Sequence, residues 1–389
     1  MRQVLMEMTM KKIFPALLVL LLATLACGAL VEAPTETAPE VPPMGEPTVT
    51  PFQPGEPAAL TEIPMLVGHG VRGSFFEIYF TDPFNRESAK QEGGPDVALA
   101  QAIDQARISV DVAAYSMSLT SIRDALLRAH DRGAQVRLVM ESDNMVRPVP
   151  QTLADEGIPI VGDRRQGLMH NKFVIIDRSE VWMGSLNLTT AGTYDDNNNL
   201  VRIRSTKVAE NYVVEFEEMF TNDFFGSDSV AETPNPVMTI DGMQVEVYFS
   251  PDDGVAKRVS ELLRGARESI YFMAYSFTAD DFGEIIRQKA RDGLSVAGVM
   301  EEAQVKSNKG TEFDPFQQAG LPVYLDGNTG QMHHKVFVID QEIVITGSYN
   351  FSASAERTND ENVVIFFDPQ VAAQYLMEFQ RVDAEAQKE

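Results

Sequence analysis

The chain has 389 residues, 44% of them apolar, which is enough to supply the core of two domains or of one large one. A formal net charge of −25 argues against a protein that coats nucleic acid non-specifically, because such affinity comes mainly from Lys and Arg neutralising phosphate; a local basic cleft can still survive in an acidic chain. One cysteine, Cys27, rules out an intramolecular disulfide, so an exported fold must stand on its packing alone.

Residues 1–26 read as an export signal, with Lys11 and Lys12 ahead of an apolar run over 13–26 that is too short to span a bilayer comfortably. Cys27 follows Thr24-Leu25-Ala26 and precedes Gly28, which resembles the cleavage and lipid-attachment site of bacterial lipoproteins. Thr24 and Leu25 depart from the usual pattern, and the competing reading is an ordinary cleaved signal in which Cys27 is incidental. Residues 27–66 carry Pro34, Pro39, Pro42, Pro43, Pro47, Pro51, Pro54 and Pro57, so they read as an extended, solvated tether that would hold a folded body away from a membrane.

The first repeat is placed at 67–227. Its pattern predicts a strand over 75–80, a helix over 97–107 and a strand over 109–115. A helix over 121–132 follows, capped by Thr120 or Ser121 and stopped by Gly133, then a strand over 135–141 and a short one at 157–160. A helix over 208–220 leads into a Pro-, Thr- and Asn-containing linker at 228–243. The second repeat, 244–389, recapitulates the first: Val245 to Phe249 answers Phe76 to Phe80, Ala274-Tyr275-Ser276 answers Ala114-Tyr115-Ser116, and Val299-Met300-Glu301 answers Val139-Met140-Glu141. Strand and helix alternate throughout, which predicts an α/β layer architecture. His69 reads as loop, His130 as a helix C-cap and Trp182 as core; Arg164, Arg165, Arg202 and Arg204 read as solvated surface, with a phosphate-approach path as the alternative.

Both repeats end in one motif. His170, Lys172, Asp177, Gly184, Ser185 and Asn187 recur, 163 residues later, as His333, Lys335, Asp340, Gly347, Ser348 and Asn350. Side chains alternate across a strand, so each histidine shares a face with the lysine two residues on, while His334 looks the other way. A histidine near neutrality serves as nucleophile or as general acid and base, the lysine supplies a fixed cation, and Ser and Asn supply donors for anionic oxygens. Two such sets facing each other suit a phosphodiester: one histidine attacks, the other protonates the leaving group, and the lysines balance charge.

The pattern H-x-K-x(4)-D-x(6)-G-S-x-N, complete at both copies, resembles that of the phospholipase D superfamily. The resemblance implies an α/β fold of two tandem similar halves, each a mixed β-sheet flanked by helices, with one active site at their interface. It implies phosphodiester hydrolysis or exchange through a phosphohistidine, with no metal and no cofactor. Carried over, His170 resembles the nucleophile and His333 the general acid. Lys172, Lys335, Asn187 and Asn350 resemble the phosphate-binding set, supported by Ser185 and Ser348. Asp177 and Asp340 belong to the motif and read as structural, each beside a turn. Family members place an acid downstream of each motif; Glu361 lies 13 residues after Ser348, but the matching position after Ser185 is Asn198, with Asp195 and Asp196 nearby as substitutes. Since these acids can cross the interface, Glu361 is expected to back His170. The implied substrate is a phospholipid phosphodiester, with an extracellular endonuclease of the same superfamily, or a non-catalytic envelope protein binding phosphate polymers, as alternatives. The implied setting is the cell envelope, with a lipid anchor at Cys27 or secretion; two internal repeats make a monomer sufficient.

Overall fold

A computed structural model describes residues 60–165 and 167–388. The expected signal peptide, Cys27 and most of the expected tether lie outside them. No helix among the described residues is long and apolar enough to cross a membrane.

In chain order the first half comprises β1 (Thr61–Ile63), β2 (His69–Arg72), β3 (Phe76–Phe80), α1 (Pro95–Gln105), β4 (Ser109–Ala114), α2 (Thr120–Asp131) and β5 (Gln135–Met140). It continues with α3 (Pro148–Asp155), β6 (Ile160–Gly162), β7 (Lys172–Ile176), β8 (Glu180–Gly184), α4 (Thr190–Tyr194), β9 (Asn199–Arg204) and α5 (Thr206–Phe220). The second half comprises β10 (Val237–Ile240), β11 (Met243–Ser250), α6 (Val255–Gly265), β12 (Ser269–Ala274), α7 (Asp280–Arg291), β13 (Ser295–Met300), α8 (Glu302–Ser307) and α9 (Phe313–Gln318). It closes with β14 (Val323–Leu325), β15 (Lys335–Ile339), β16 (Ile343–Gly347), α10 (Ala353–Arg357), β17 (Glu361–Phe367) and α11 (Pro369–Ala386).

Among the described residues the strands form two mixed sheets, ordered β1-β2-β3-β9-β8-β7-β4-β5-β6 and β10-β11-β17-β16-β15-β12-β13-β14. In each, three strands at one end run parallel (β4-β5-β6, β12-β13-β14) and the others pair antiparallel. The central strands are apolar on both faces, as in Lys172-Phe-Val-Ile-Ile and Lys335-Val-Phe-Val-Ile, because both faces are covered. Helices α1 and α2 cover one sheet outside, and α6 and α7 the other. The inner faces share a single core with α5 and α11, in which Phe76 meets Phe366, Tyr212 meets Phe249 and Phe80 meets Tyr375 with ring centroids 5.0–6.1 Å apart. Each such pair adds about 0.5–1.5 kcal/mol beyond its buried area, so the halves are fused rather than merely tethered.

Several expectations shift. The folded body starts inside the segment expected to be tether: Thr61–Ile63 pairs with His69–Arg72 as an edge ribbon. The linker is likewise part strand, since Val237–Ile240 pairs with β11. His69 is not loop but strand, its ring stacked on Phe80 at 4.7 Å. Neither Thr120 nor Ser121 caps α2; Leu119 holds the N-cap position, and Ser121 instead donates to Asp96 Oδ2 at 2.6 Å, tying α2 to α1. Gly133, at φ +89°, does end α2 as expected, its N–H closing on the His130 carbonyl, so His130 contributes its backbone to the C-terminus. Trp182 is core, 1% exposed.

Candidate active site

Each motif is delivered by a hairpin with a sharp turn. Asp177-Arg178 and Asp340-Gln341 all have φ of +53 to +57°, the left-handed pair required by the two-residue turns that match strand twist. Asp177 accepts the N–H groups of Arg107, Ile108 and Ser109 at 2.7–3.1 Å, and Asp340 those of Arg267, Glu268 and Ser269 at 2.8–3.0 Å. These aspartates therefore anchor the far ends of β7 and β15 and stand away from the reacting groups, as their place beside the turns suggested. At the near ends, Gly184 and Gly347 have φ of +149° and +152°, and a Cβ there would lie 2.4 and 2.1 Å from the carbonyls of Asn199 and Asn362. Only glycine lets the chain turn there so that Ser185-Leu186-Asn187 and Ser348-Tyr349-Asn350 fold over the strand ends.

The two histidines meet because each histidine loop is stitched to the opposite half. His170 N–H donates to the Asp360 carbonyl at 3.0 Å and Asp360 N–H to Leu168; His333 N–H donates to the Asn197 carbonyl at 2.9 Å and Asn197 N–H to Gln331. Glu141 accepts Met169 N–H at 3.1 Å and Glu301 accepts Met332 N–H at 2.7 Å, holding each loop from behind. The result is one cleft of about 660 Å³ whose walls include His170, His333, Asn187, Asn350, Tyr115 and Tyr275.

Inside it the halves diverge. His170 Nδ1 donates to Glu361 Oε2 at 2.7 Å, across the interface as expected. His333 Nδ1 instead faces Asn198 Oδ1 at 2.9 Å and the Ser185 carbonyl at 3.1 Å, both acceptors, which fixes its proton on Nδ1. Each ring thus presents Nε2 to the cleft. Lys172 and Lys335 donate to the carbonyls of His170 and His333 at 2.8 and 2.7 Å and lie over the rings of Tyr115 and Tyr275. Asn187 and Asn350 each have Oδ1 buried without a partner among the described residues.

Burial sets the electrostatics. It pushes the His170 imidazole down to about 4, against the pull of Glu361, with Lys172 adding to the depression. It pushes the Lys172 ammonium down to about 7, again opposed by Glu361. His333 and Lys335 are driven well below their ordinary ranges, first by burial and then by the neighbouring cations. Burial disfavours the charged forms of these four basic groups, and an entering anion favours them again.

Some expected members play other parts. Ser185 and Ser348 are fully buried and do not reach the cleft: Ser185 Oγ donates to Asn198 Oδ1 at 2.8 Å, and both hydroxyls accept the backbone N–H 14 residues on, so they brace the loop rather than bind phosphate. Asp195 and Asp196 do not back a histidine; Asp196 Oδ1 accepts Gln331 N–H at 3.0 Å. The arginine path is closed, since Arg202 and Arg204 pair with Glu77 and Glu180, and Arg164 and Arg165 with Asp223 and Asp228. His334, on the other face, joins Asn199 and Glu378 at 3.1 and 2.9 Å behind the site. Tyr115, Tyr275, Glu141 and Glu301 escaped notice as site residues, although each stands at the same strand end in both repeats.

The class is the phospholipase D superfamily. More narrowly, the chain belongs to the family described as cardiolipin synthase, PLD-like domain, which it matches twice, over residues 99–220 and 259–382. A phospholipase D of Rickettsia bellii is 29% identical over 163 residues, 40% of this chain and 81% of that protein. A phospholipase D of Rickettsia conorii is 36% identical over 134 residues, 34% of this chain and 66% of that protein, a little under two thirds of its length. The solved phosphatidylserine synthase of Haemophilus influenzae Rd KW20 shares the fold, with a TM-score of 0.58 over 74% of this chain and 83% of that one at 13% identity.

Proposed function

We propose that the cleft hydrolyses a phospholipid phosphodiester bond without a metal, through a phosphohistidine formed on His170. The broader class, a phospholipase D-like phosphodiester hydrolase, is common to the family and to the curated relatives. The observation that carries the finer reading is the unequal backing of the two histidines, Glu361 behind His170 and Asn198 behind His333. A carboxylate on Nδ1–H keeps the Nε2 lone pair directed into the cleft and stabilises the positive charge that the ring gains when Nε2 bonds to phosphorus. An amide oxygen stabilises a cationic ring less, so His333, once protonated beside a bound anion, is the readier proton donor.

In the first step the His170 Nε2 lone pair forms an N–P bond, the P–O bond to the alcohol breaks, and that oxygen takes the proton from His333 Nε2. In the second, a water oxygen bonds to phosphorus while giving a proton to His333 Nε2, and the N–P electron pair returns to His170, releasing the phosphomonoester. Lys172, Lys335, Asn187 and Asn350 surround the non-bridging oxygens throughout. The relatives named phospholipase D support a lipid substrate. Export, with anchoring at Cys27, would bring the cleft to a membrane, and one chain suffices for the site.

The test is a paired assay of wild type and His170→Ala in EDTA, on labelled phosphatidylcholine with a primary alcohol present and on single- and double-stranded DNA. Head-group release with formation of the phosphatidyl alcohol, lost in the variant, is expected. Cleavage of DNA alone would move the enzyme to the nuclease reading, and loss of activity in EDTA would overturn the metal-free mechanism.

A further inference from the structure

Each motif sets its histidine and its lysine against one aromatic ring. Tyr115 and Tyr275 directly follow β4 and β12, the strands that pair with β7 and β15, so in both halves a tyrosine stands beside the motif at the same strand end. Their backbones are pinned there: Asn144 Nδ2 donates to the Tyr115 carbonyl at 2.7 Å, and Tyr275 N–H donates to the His334 carbonyl at 2.8 Å. Lys172 Nζ lies over the Tyr115 ring, 5.2 Å from its centre, and Lys335 Nζ over the Tyr275 ring at 4.5 Å. The same rings meet the imidazoles at steep angles, Tyr115 and His170 with centroids 5.0 Å apart at 66°, Tyr275 and His333 4.5 Å apart at 68°.

Hydrogen bonds alone do not account for two ammonium ions in this place. Each lysine gives one donor to the carbonyl of its own histidine, and neither has an ion pair among the described residues. Burial works against the Lys172 charge and Glu361 works for it. At Lys335 burial and Lys172 work against the charge, while Glu361, Asp196 and Glu301 work for it. The face of an aromatic ring is electron-rich and attracts a cation within about 6 Å of its centroid, more strongly where water is excluded. Both phenols stay protonated, since burial raises them, Tyr275 to about 12, so the rings act as neutral π systems. The Tyr275 hydroxyl is itself taken up, accepting from Gln304 Nε2 at 3.2 Å, which leaves the ring as the part that addresses the site.

We propose that Tyr115 and Tyr275 are positioning residues whose ring faces hold the Lys172 and Lys335 ammonium ions in place and charged beside the phosphoryl group. The inference rests on the catalytic reading above, in which those lysines balance charge on the non-bridging oxygens. With one donor on the histidine carbonyl and the π face beside it, each ammonium keeps its remaining N–H groups for the substrate. The contact with the imidazole makes the ring a common wall for both members of its motif, so histidine and lysine keep their spacing when an anion enters.

The role belongs to the electrons of the ring and can be separated from its bulk. Full-length protein in detergent micelles is prepared as wild type, as Tyr115→Phe, and with mono-, di- or trifluorophenylalanine at position 115, with the same series at 275. Fluorine drains the ring face and largely keeps its shape. The substrate is bis(p-nitrophenyl) phosphate, whose leaving oxygen needs no proton, so the alkaline limb of kcat/KM reports the lysines. The Tyr→Phe proteins should stay near wild type, and kcat/KM at pH 7 should fall stepwise with added fluorine, about five-fold in all. At position 115 the limb set by Lys172, about 7 in the wild type, should move down by about one pH unit, roughly 1.4 kcal/mol. Equal melting temperatures across the series exclude misfolding, and Tyr275→Leu, which removes the ring, should lose at least as much activity as the trifluoro protein. A flat series, or a loss in Tyr→Phe as large as in the trifluoro protein, would overturn the proposal. Failure of the underlying reading looks different: the wild type cleaves no diester, or cleavage survives His170→Ala.

Discussion

The His170 end and the His333 end of the cleft share a backbone and differ in their supports. In both, a histidine leaves a loop stitched to the other half, a lysine folds back on the histidine carbonyl, and an asparagine caps the strand end. Yet Glu361 stands behind one ring and Asn198 behind the other. In the layer beneath, Asn171 joins Glu215 and Asn362 at 2.8 Å, where His334 joins Glu378 and Asn199. Glu378, also paired with Arg381, is held down to about 2, while Glu215, with no such cation, is pushed well above the carboxylate range by burial and by Asp360. The geometry occurs twice with different supports, and on the proposed mechanism the His170 end is the nucleophilic one and the His333 end the proton-donating one.

The sharpest break of that comparison is removal of the nucleophile. His170→Ala should lower kcat/KM by roughly a thousand-fold or more on any diester. His333→Ala should do comparable damage on an ester of a poor leaving alcohol and far less on a p-nitrophenyl ester, whose oxygen needs no proton. Next comes the backing residue: Glu361→Gln should cost about a hundred-fold in kcat, as loss of an orienting partner does, and combining it with Asn198→Glu tests whether the roles can be exchanged.

The pH profile follows. In the free enzyme His170 is competent when neutral, so kcat/KM should rise as pH climbs through about 4. It should fall where the proton that His333 must carry is lost, below the usual imidazole range because burial and the neighbouring cations depress it, and fall further as pH passes about 7, where Lys172 loses its charge. A rising limb near 6.5 would mean that burial does not depress His170. The smallest effect concerns folding: Asp340→Ala leaves three backbone N–H groups without their acceptor and should cost about 1–3 kcal/mol by urea denaturation.

Much of this was legible in the sequence. The strand at 109–114 and helix α2 appeared within a residue of where they stand, and the second half was read by its correspondence to the first. The motif named both histidines and both lysines, each tied to its neighbours by spacing along a strand, and the acid expected downstream of the second copy named Glu361. The edge strands β1 and β10 were hidden because an edge is specified by the partner it pairs with, and their Pro- and Thr-rich surroundings look like linker. Ser185 and Ser348 were assigned to phosphate because sequence shows a hydroxyl but not its direction; both turn inward to the following strand. The pairing of His333 with Asn198 was in plain view at the matching position, and only the fold shows that the amide is the partner and the nearby aspartates are not.

The central claim is that His170 becomes phosphorylated. Rapid quench of wild type and of each histidine-to-alanine variant during turnover of a p-nitrophenyl phosphodiester, followed by peptide mass spectrometry under conditions that preserve phosphohistidine, measures it directly. The expected result is an adduct on the His170 peptide in the wild type, its accumulation in His333→Ala, and none in His170→Ala. An adduct on His333, or one that survives His170→Ala, would contradict the assignment and reverse the roles of the two ends.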